Sequence, residues 1–203
     1  VEAALKIAGV PFDLIDVKKT PDPAPEFLAV SPMNQVPVLV LPDGHAVAES
    51  AAICTLLAEL HPGAGLGPVA GQAGLSPAPG EPGRADFLRW LAFMTSTLYP
   101  ADLRYYYAHR YTADADGIVA VKQAAVTEMD REIGILDRAL GARGWLAGDA
   151  RSIADVYMLM LVCWHPDVQK ARTAWPNVER VSAVLRADPL LAELNLRHEM
   201  WAD

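Results

Sequence analysis

A run rich in glycine and proline divides this chain into two unequal parts. Residues 62–83 contain 7 Gly and 5 Pro among 22 residues, and Glu81 is their only charged residue. Such a composition supports neither a helix nor a sheet ladder. We therefore predict a first domain at 1–62, a linker at 63–83 and a second domain at 84–203.

The part before the linker alternates between helical and strand periods. Its predicted elements are a helix ending near Gly9, a strand at 11–17, a short helix or turn at 24–30, a buried strand at 37–41, a returning strand at 45–48 and a helix at 50–60. Asp43-Gly44 is a hairpin signal between the last two strands. The first domain is therefore predicted to be a small α/β unit.

The part after the linker has helical period throughout. Helices are predicted at about 84–110, 117–141, 152–164, 176–187 and 189–199. Pro100 lies inside the first of them and is expected to bend or end it. The second domain is therefore predicted to be an all-α bundle.

Charge and hydropathy exclude several classes of protein. The chain carries 17 Lys+Arg against 25 Asp+Glu, a formal net charge of -8, which has the wrong sign for neutralising nucleic-acid phosphates. It has neither 18 consecutive apolar residues nor a signal-peptide pattern. We expect a soluble, cytosolic protein with no nucleic-acid or membrane partner.

Most familiar catalytic motifs are absent. The five His show no paired metal-ligand spacing, so no metal site is expected. There is no P-loop and no GxSxG motif. Cys54 and Cys163 lie far apart in apolar helical contexts, which favours reduced core residues.

Two short segments on either side of the predicted hairpin can carry binding chemistry. Pro37 cannot donate to a ladder, so it belongs at the start of a strand or on an edge. If the Val36-Pro37 bond is cis, the N–H and C=O of Val36 are free to pair with an extended peptide ligand.

Glu49-Ser50 opens the helix after the hairpin. Free N–H groups at a helix N-terminus favour a carboxylate, and the adjacent Glu49 can accept from an ammonium. The pair would therefore suit the free end of an amino acid. In the alternative interpretation, Ser50 is only an N-cap and Glu49 a solvated charge.

These segments together resemble a known family. PMNQVPVLVLPDGHAVAESAAICTLLAEL, preceded by ALKIAGVPFDLIDV, resembles the thioredoxin-like, glutathione-binding domain of glutathione S-transferases. WLAGDARSIADVYMLMLVCW is similar to a helix-opening segment of their C-terminal domain, with Ser152 and Asp155 as a structural capping box. The resemblance implies a thioredoxin-like N-terminal domain followed by an all-helical C-terminal bundle.

The resemblance also implies roles for individual residues in binding glutathione. Gln35 helps to hold the glycine carboxylate, and Val36, before a cis Pro37, pairs with the cysteinyl backbone. Glu49 and Ser50 take the γ-glutamyl end.

The catalytic residue is not assigned within this sequence. In the family, the Ser, Tyr or Cys that activates the glutathione thiol follows a first strand that lies mid-sheet. This chain begins at Val1, inside the expected first helix. We therefore expect the natural protein to have roughly 10–20 more N-terminal residues that include this strand and turn.

The segment RWLAFMTSTLYPADLRYYYAHRYT resembles the helix that lines the electrophile pocket in bacterial members, with the pattern N-F-x-x-[ST]-E-L-H. Ser96 keeps the small polar residue, whereas Ala92, Thr97 and Tyr99 replace Asn, Glu and His. The pocket candidates are Ser96, Tyr99 and Tyr106. The alternative for Tyr106 is that the consecutive tyrosines at 105–107 face different ways around a helix, some into the core and some into solvent.

The leading hypothesis is a glutathione S-transferase-like enzyme that uses glutathione as co-substrate and attacks a small electrophile, as in detoxification. The family resemblance implies a homodimer. One alternative is a non-catalytic glutathione S-transferase-like binding or regulatory protein, which the altered pocket pattern motivates. The other is a glutathione-dependent thiol-disulfide reductase.

Overall fold

A computed structural model of the protein describes residues 1–17, 22–62, 64 and 74–202. Its elements, in chain order, are α1 (Glu2–Ile7), α2 (Pro25–Val30), β1 (Leu39–Val40), β2 (Ala46–Val47), α3 (Ser50–Leu60), α4 (Arg84–Phe93), a π-helical turn (Met94–Leu98), α5 (Tyr99–Tyr106), 3-10 turns (Ala108–Arg110 and Ala115–Gly117), α6 (Ile118–Leu140), α7 (Ile153–Cys163), α8 (Val168–Thr173), α9 (Pro176–Arg186) and α10 (Pro189–His198). The fold is thus a small α/β unit followed by a helical bundle, as predicted.

The hairpin is shorter and more exposed than the sequence pattern predicts. β1 and β2 are antiparallel, with Leu39 opposite Val47 and Val40 opposite Ala46. Gly44 takes a positive φ of 85° in the turn, where a side chain would be strained. Val40 is half exposed, so the prediction of a buried strand at 37–41 is wrong.

The predicted strand at 11–17 is also wrong. These residues form no regular element, and Ile15 is 81% exposed. A strand exists only through hydrogen bonds to a neighbouring strand. The sheet that the structure describes contains β1 and β2 alone, and residues 11–17 pair with neither strand.

The predicted helix at 84–110 contains one irregular turn, which lies just before Pro100. The helix does not end at Pro100, which lies in the first turn of α5. Pro100 has no N–H to give to the carbonyl four residues earlier, and the preceding turn, Met94–Leu98, is π-helical. The expected disruption is therefore a change of helical pitch instead of a break.

The predicted linker falls partly outside the described residues, since 63 and 65–73 are not among them. Its described end, 74–83, is anchored to the C-terminal bundle. Leu75 is buried, and its C=O accepts a hydrogen bond of 2.8 Å from the N–H of Ile153. Arg84 donates to the Ser76 hydroxyl and to the C=O of Pro77.

One hydrophobic core joins the two halves. Side chains of α1 and α3 belong to the same continuous cluster as those of α4, α6, α7 and α9. At the surface, Glu2 of α1 bridges to Arg197 at 2.9 Å and His198 at 2.7 Å of α10. No helix among the described residues is long and apolar enough to cross a membrane.

Candidate functional site

The N-terminus of α3 is the centre of the candidate site. The helix begins at Ser50 with Glu49 as its N-cap, and the Glu49 side chain makes no capping hydrogen bond. The interpretation of Ser50 as an N-cap is therefore wrong. The N–H groups in the first turn of a helix lack intrahelical acceptors, so this end favours a carboxylate.

Glu49 has an unusual backbone conformation for a non-glycine residue. Its φ of 67° and ψ of 105° lie outside the regions that L-residues ordinarily adopt. This conformation turns the chain from β2 into α3 within two residues. The Glu49 side chain is exposed and has no ion-pair partner among the described residues.

Ser50 contacts the C-terminal bundle through its hydroxyl. Its Oγ lies 2.9 Å from the Oη of Tyr157 in α7, 107 positions away in the chain. Tyr157 is only 5% exposed. The hydrogen bond therefore links the start of α3 to a buried residue of the other half of the molecule.

The loop before β1 holds the second group of candidate residues. The Ser31 hydroxyl accepts from the N–H of Gln35 at 3.0 Å and donates to its C=O at 2.7 Å. The Val36-Pro37 peptide bond is cis. Among the described residues, the backbone of Val36 makes no hydrogen bond, so both its polar groups are available to a ligand.

The hairpin brings this loop near the start of α3. Leu39 pairs with Val47 in antiparallel register. Residues 35–37 come shortly before Leu39, and residues 49–50 come shortly after Val47. The two candidate segments therefore both lie at the open end of the hairpin, opposite its turn.

An aromatic cluster continues from Tyr157 along α5 and α7. The rings of Tyr99 and Trp164 lie 5.6 Å apart, and the Tyr106 hydroxyl donates to the C=O of Trp164 at 2.6 Å. Tyr99 and Tyr106 are two helical turns apart, as are Tyr157 and Trp164, so each pair shares a helix face. Two residues of α5, Tyr99 and Tyr106, thus contact Trp164, the residue that follows α7.

The third pocket candidate, Ser96, points back to its own helix. Its hydroxyl donates to the C=O of Ala92 at 2.8 Å, although the residue is exposed. The hydroxyls of Thr95 and Thr97 likewise donate to carbonyls one turn earlier. Such bonds satisfy carbonyls at the end of α4, and they use the hydroxyl protons that these three residues could otherwise donate to a ligand.

Burial favours the protonated forms of two phenols and a thiol near the site. Burial raises the pKa of Tyr157 to about 12, and burial also raises the pKa values of Tyr106 and Cys54. At neutral pH these phenols are hydrogen-bond donors, and Cys54 is a thiol instead of a reactive thiolate. Burial likewise raises the pKa of Cys163, to about 11.

Sequence reasoning missed Tyr157 and Trp164. Both lie in the segment quoted for its capping box, and Tyr157 is a hydroxyl-bearing residue in an otherwise apolar helix. The capping box itself is present: Ser152 and Asp155 bond reciprocally at the start of α7. The box fixes the start of the helix that carries Tyr157.

Comparisons with known proteins agree with this architecture. Residues 1–60 match the model of the glutathione S-transferase N-terminal domain, and residues 102–189 match that of the C-terminal domain. Glutathione S-transferase GST-4.5 of Xanthomonas campestris pv. campestris is 30% identical over 160 residues, which cover 79% of this chain and 74% of that protein.

Solved structures of similar proteins include two bacterial glutathione S-transferases. A sphingomonad enzyme complexed with glutathione has a TM-score of 0.78 at 27% identity, covering 98% of this chain and 92% of its own. The enzyme of Xylella fastidiosa has a TM-score of 0.81 at 25% identity, with 97% and 91% covered. From both domain matches, the sequence identity and the shared fold, this chain belongs to the glutathione S-transferase family.

Proposed function

We propose that this protein binds glutathione at the open end of the β1–β2 hairpin. Glu49 and the N-terminus of α3, with the Ser50 hydroxyl, receive the ammonium and carboxylate of the γ-glutamyl end. Val36 pairs with the cysteinyl backbone, and Gln35 lies beside the glycine carboxylate. The main support is the end of α3, where an unpaired carboxylate adjoins free N–H groups and a hydroxyl.

We further propose that the protein is a glutathione transferase, in which the bound thiolate attacks a small electrophile. Tyr99 and Tyr106 line the cleft for that electrophile, with Ser96 at its entrance. Their rings lie against Trp164 and offer a largely apolar surface, which suits an uncharged organic molecule. No residue of this chain is assigned to activate the thiol.

A non-catalytic glutathione-binding protein is the second candidate. The observation that favours it is the segment that resembles the pocket-lining helix: Ala92 and Thr97 replace the Asn and Glu of the bacterial pattern, and the Thr97 hydroxyl donates to the C=O of Phe93. The Thr97 hydroxyl therefore has no proton left to donate to a reacting sulfur. Turnover, and not binding, distinguishes the two candidates.

The test is a calorimetric titration of glutathione into the protein and two variants. Glu49→Gln is expected to weaken binding about tenfold and Ser50→Ala about fivefold, since each loses one hydrogen bond to a charged end of the ligand. Asp149→Asn removes the same single charge from an exposed loop and should leave the affinity unchanged.

The titration has two further outcomes. No binding to the folded wild-type protein would contradict the proposal. If the protein binds glutathione but conjugates it to none of a panel of electrophiles at saturating glutathione, the non-catalytic candidate is favoured.

A further inference from the structure

We propose that Tyr157 is a positioning residue for the γ-glutamyl end of glutathione, acting through Ser50. The inference rests on the proposed function, since it assigns a second residue to the same binding site. Tyr157 does not touch the ligand in this scheme. It orients the Ser50 hydroxyl, so that the Ser50 proton is presented to the ligand carboxylate.

The hydroxyls of Ser50 and Tyr157 are in direct contact. The Ser50 Oγ and Tyr157 Oη lie 2.9 Å apart, the distance of a good hydrogen bond between hydroxyls. Ser50 is the first residue of α3, and among the described residues Tyr157 is the one hydrogen-bond partner of its hydroxyl. The Tyr157 hydroxyl is therefore the group that fixes the Ser50 side chain.

The two hydroxyl protons can both point toward the ligand, one from Tyr157 to Ser50 and one from Ser50 outward. A serine hydroxyl has one proton to donate, and its oxygen can accept as well. Burial keeps the phenol protonated and in need of an acceptor. When a carboxylate accepts the Ser50 proton, the Ser50 oxygen accepts from Tyr157, and both hydroxyls are satisfied in one chain of hydrogen bonds.

The Tyr157 phenol is held in place by its helix and by the core around it. Tyr157 lies one turn beyond the capping box of α7, and the N–H of Ile153 at the start of that helix bonds to the C=O of Leu75. The ring is 5% exposed and packs within the core. The hydroxyl of Tyr157 is thus held in place by the C-terminal half, whereas Ser50 belongs to the N-terminal half.

The experiment is a double-mutant cycle with glutathione as the titrant. Tyr157→Phe removes one hydroxyl and keeps the ring, and it is combined with Ser50→Ala. We expect Tyr157→Phe to weaken glutathione binding about fivefold when Ser50 is present. In the Ser50→Ala background the same change is expected to have no effect, because no serine hydroxyl is left to orient.

Tyr111→Phe is the matched control, because Tyr111 is half exposed and lies at the end of a 3-10 turn. Its glutathione affinity should equal that of wild type. Urea unfolding of every variant measures stability separately. A merely structural role for Tyr157 would lower the unfolding midpoint and weaken binding equally in both backgrounds.

The possible outcomes separate this inference from the proposed function. Equal weakening in the wild-type and Ser50→Ala backgrounds, or no weakening in either, overturns the role of Tyr157 and leaves glutathione binding standing. Absence of binding to the wild-type protein overturns the proposed function and the role of Tyr157 with it.

Discussion

Asp102 is the residue whose surroundings oppose its charge most strongly. Its side chain lies in α5 facing α6 and is 1% exposed, and neither carboxyl oxygen has a hydrogen-bond partner among the described residues. Burial, and then the charge of Glu132, raise the pKa of Asp102 to about 8. An ionised, unpaired carboxylate in this position is costly, so the folded protein keeps the proton.

This burial predicts a specific dependence of stability on pH. The folded state holds a proton on Asp102 up to about pH 8, whereas the unfolded chain releases it near its ordinary pKa of 3.8. The free energy of unfolding therefore falls as pH rises across this interval. Asp102→Asn stays neutral and should gain about 2–5 kcal/mol relative to wild type between pH 4 and pH 9.

Urea unfolding at several pH values measures that gain. The exposed Asp116→Asn is the control, and its stability relative to wild type should not change with pH. A difference between Asp102→Asn and wild type that is constant with pH would show that Asp102 is already ionised in the folded state.

At the scale of elements, the start of α7 depends on its capping box. The Ser152 hydroxyl accepts from the N–H of Ala154, and Asp155 accepts from the N–H groups of Ser152 and Leu146, both at 2.8 Å. All these groups are buried. The box therefore satisfies the donors at the end of a helix that water does not reach.

Ser152→Ala is expected to lower the free energy of unfolding by about 1–2 kcal/mol, because a buried cap is lost and Asp155 loses a donor. Asp114→Ala removes the cap of the exposed 3-10 turn Ala115–Gly117 and should have a smaller effect. Chemical denaturation of the two variants tests this order. Equal losses would mean that burial of the cap is unimportant.

Individual elements show which signals in the sequence are reliable. The bounds of α3, α6, α7, α9 and α10 follow their helical periods within one or two residues, because caps, Gly and Pro act locally. The six-residue α8 is missing from the predicted elements, since it is too short for a periodic signal. The segment 11–17 has a strand pattern but no strand, because its pairing depends on a distant segment.

At the scale of the whole molecule, the shared core predicts a single folding unit. All 5 Trp lie beyond residue 84, so their fluorescence reports on the C-terminal half alone. Leu57 of α3 is 2% exposed and belongs to the continuous core cluster. A cavity at this position should therefore destabilise both halves together.

Leu57→Ala is expected to cost about 2–5 kcal/mol and to shift the transitions followed by Trp fluorescence and by far-UV circular dichroism to the same new midpoint. Leu60→Ala, on the same helix but 54% exposed, is the matched control and should cost less than about 1 kcal/mol, the scale of a surface change. If Leu57→Ala leaves the midpoint of the fluorescence transition unchanged, the two halves unfold independently.

The sequence by itself determined the order of elements, the division into an α/β part and a helical part, and the family. It also located Glu49 and Ser50 beside the start of α3, because hairpin and helix-start signals arise from neighbouring residues. Only the tertiary structure decided that Tyr157 reaches Ser50 across 107 positions, that Tyr99 meets Trp164, and that Asp102 is buried without a partner among the described residues. These facts depend on how helices pack against one another, and packing is set by the shapes of many side chains at once, which no local pattern records.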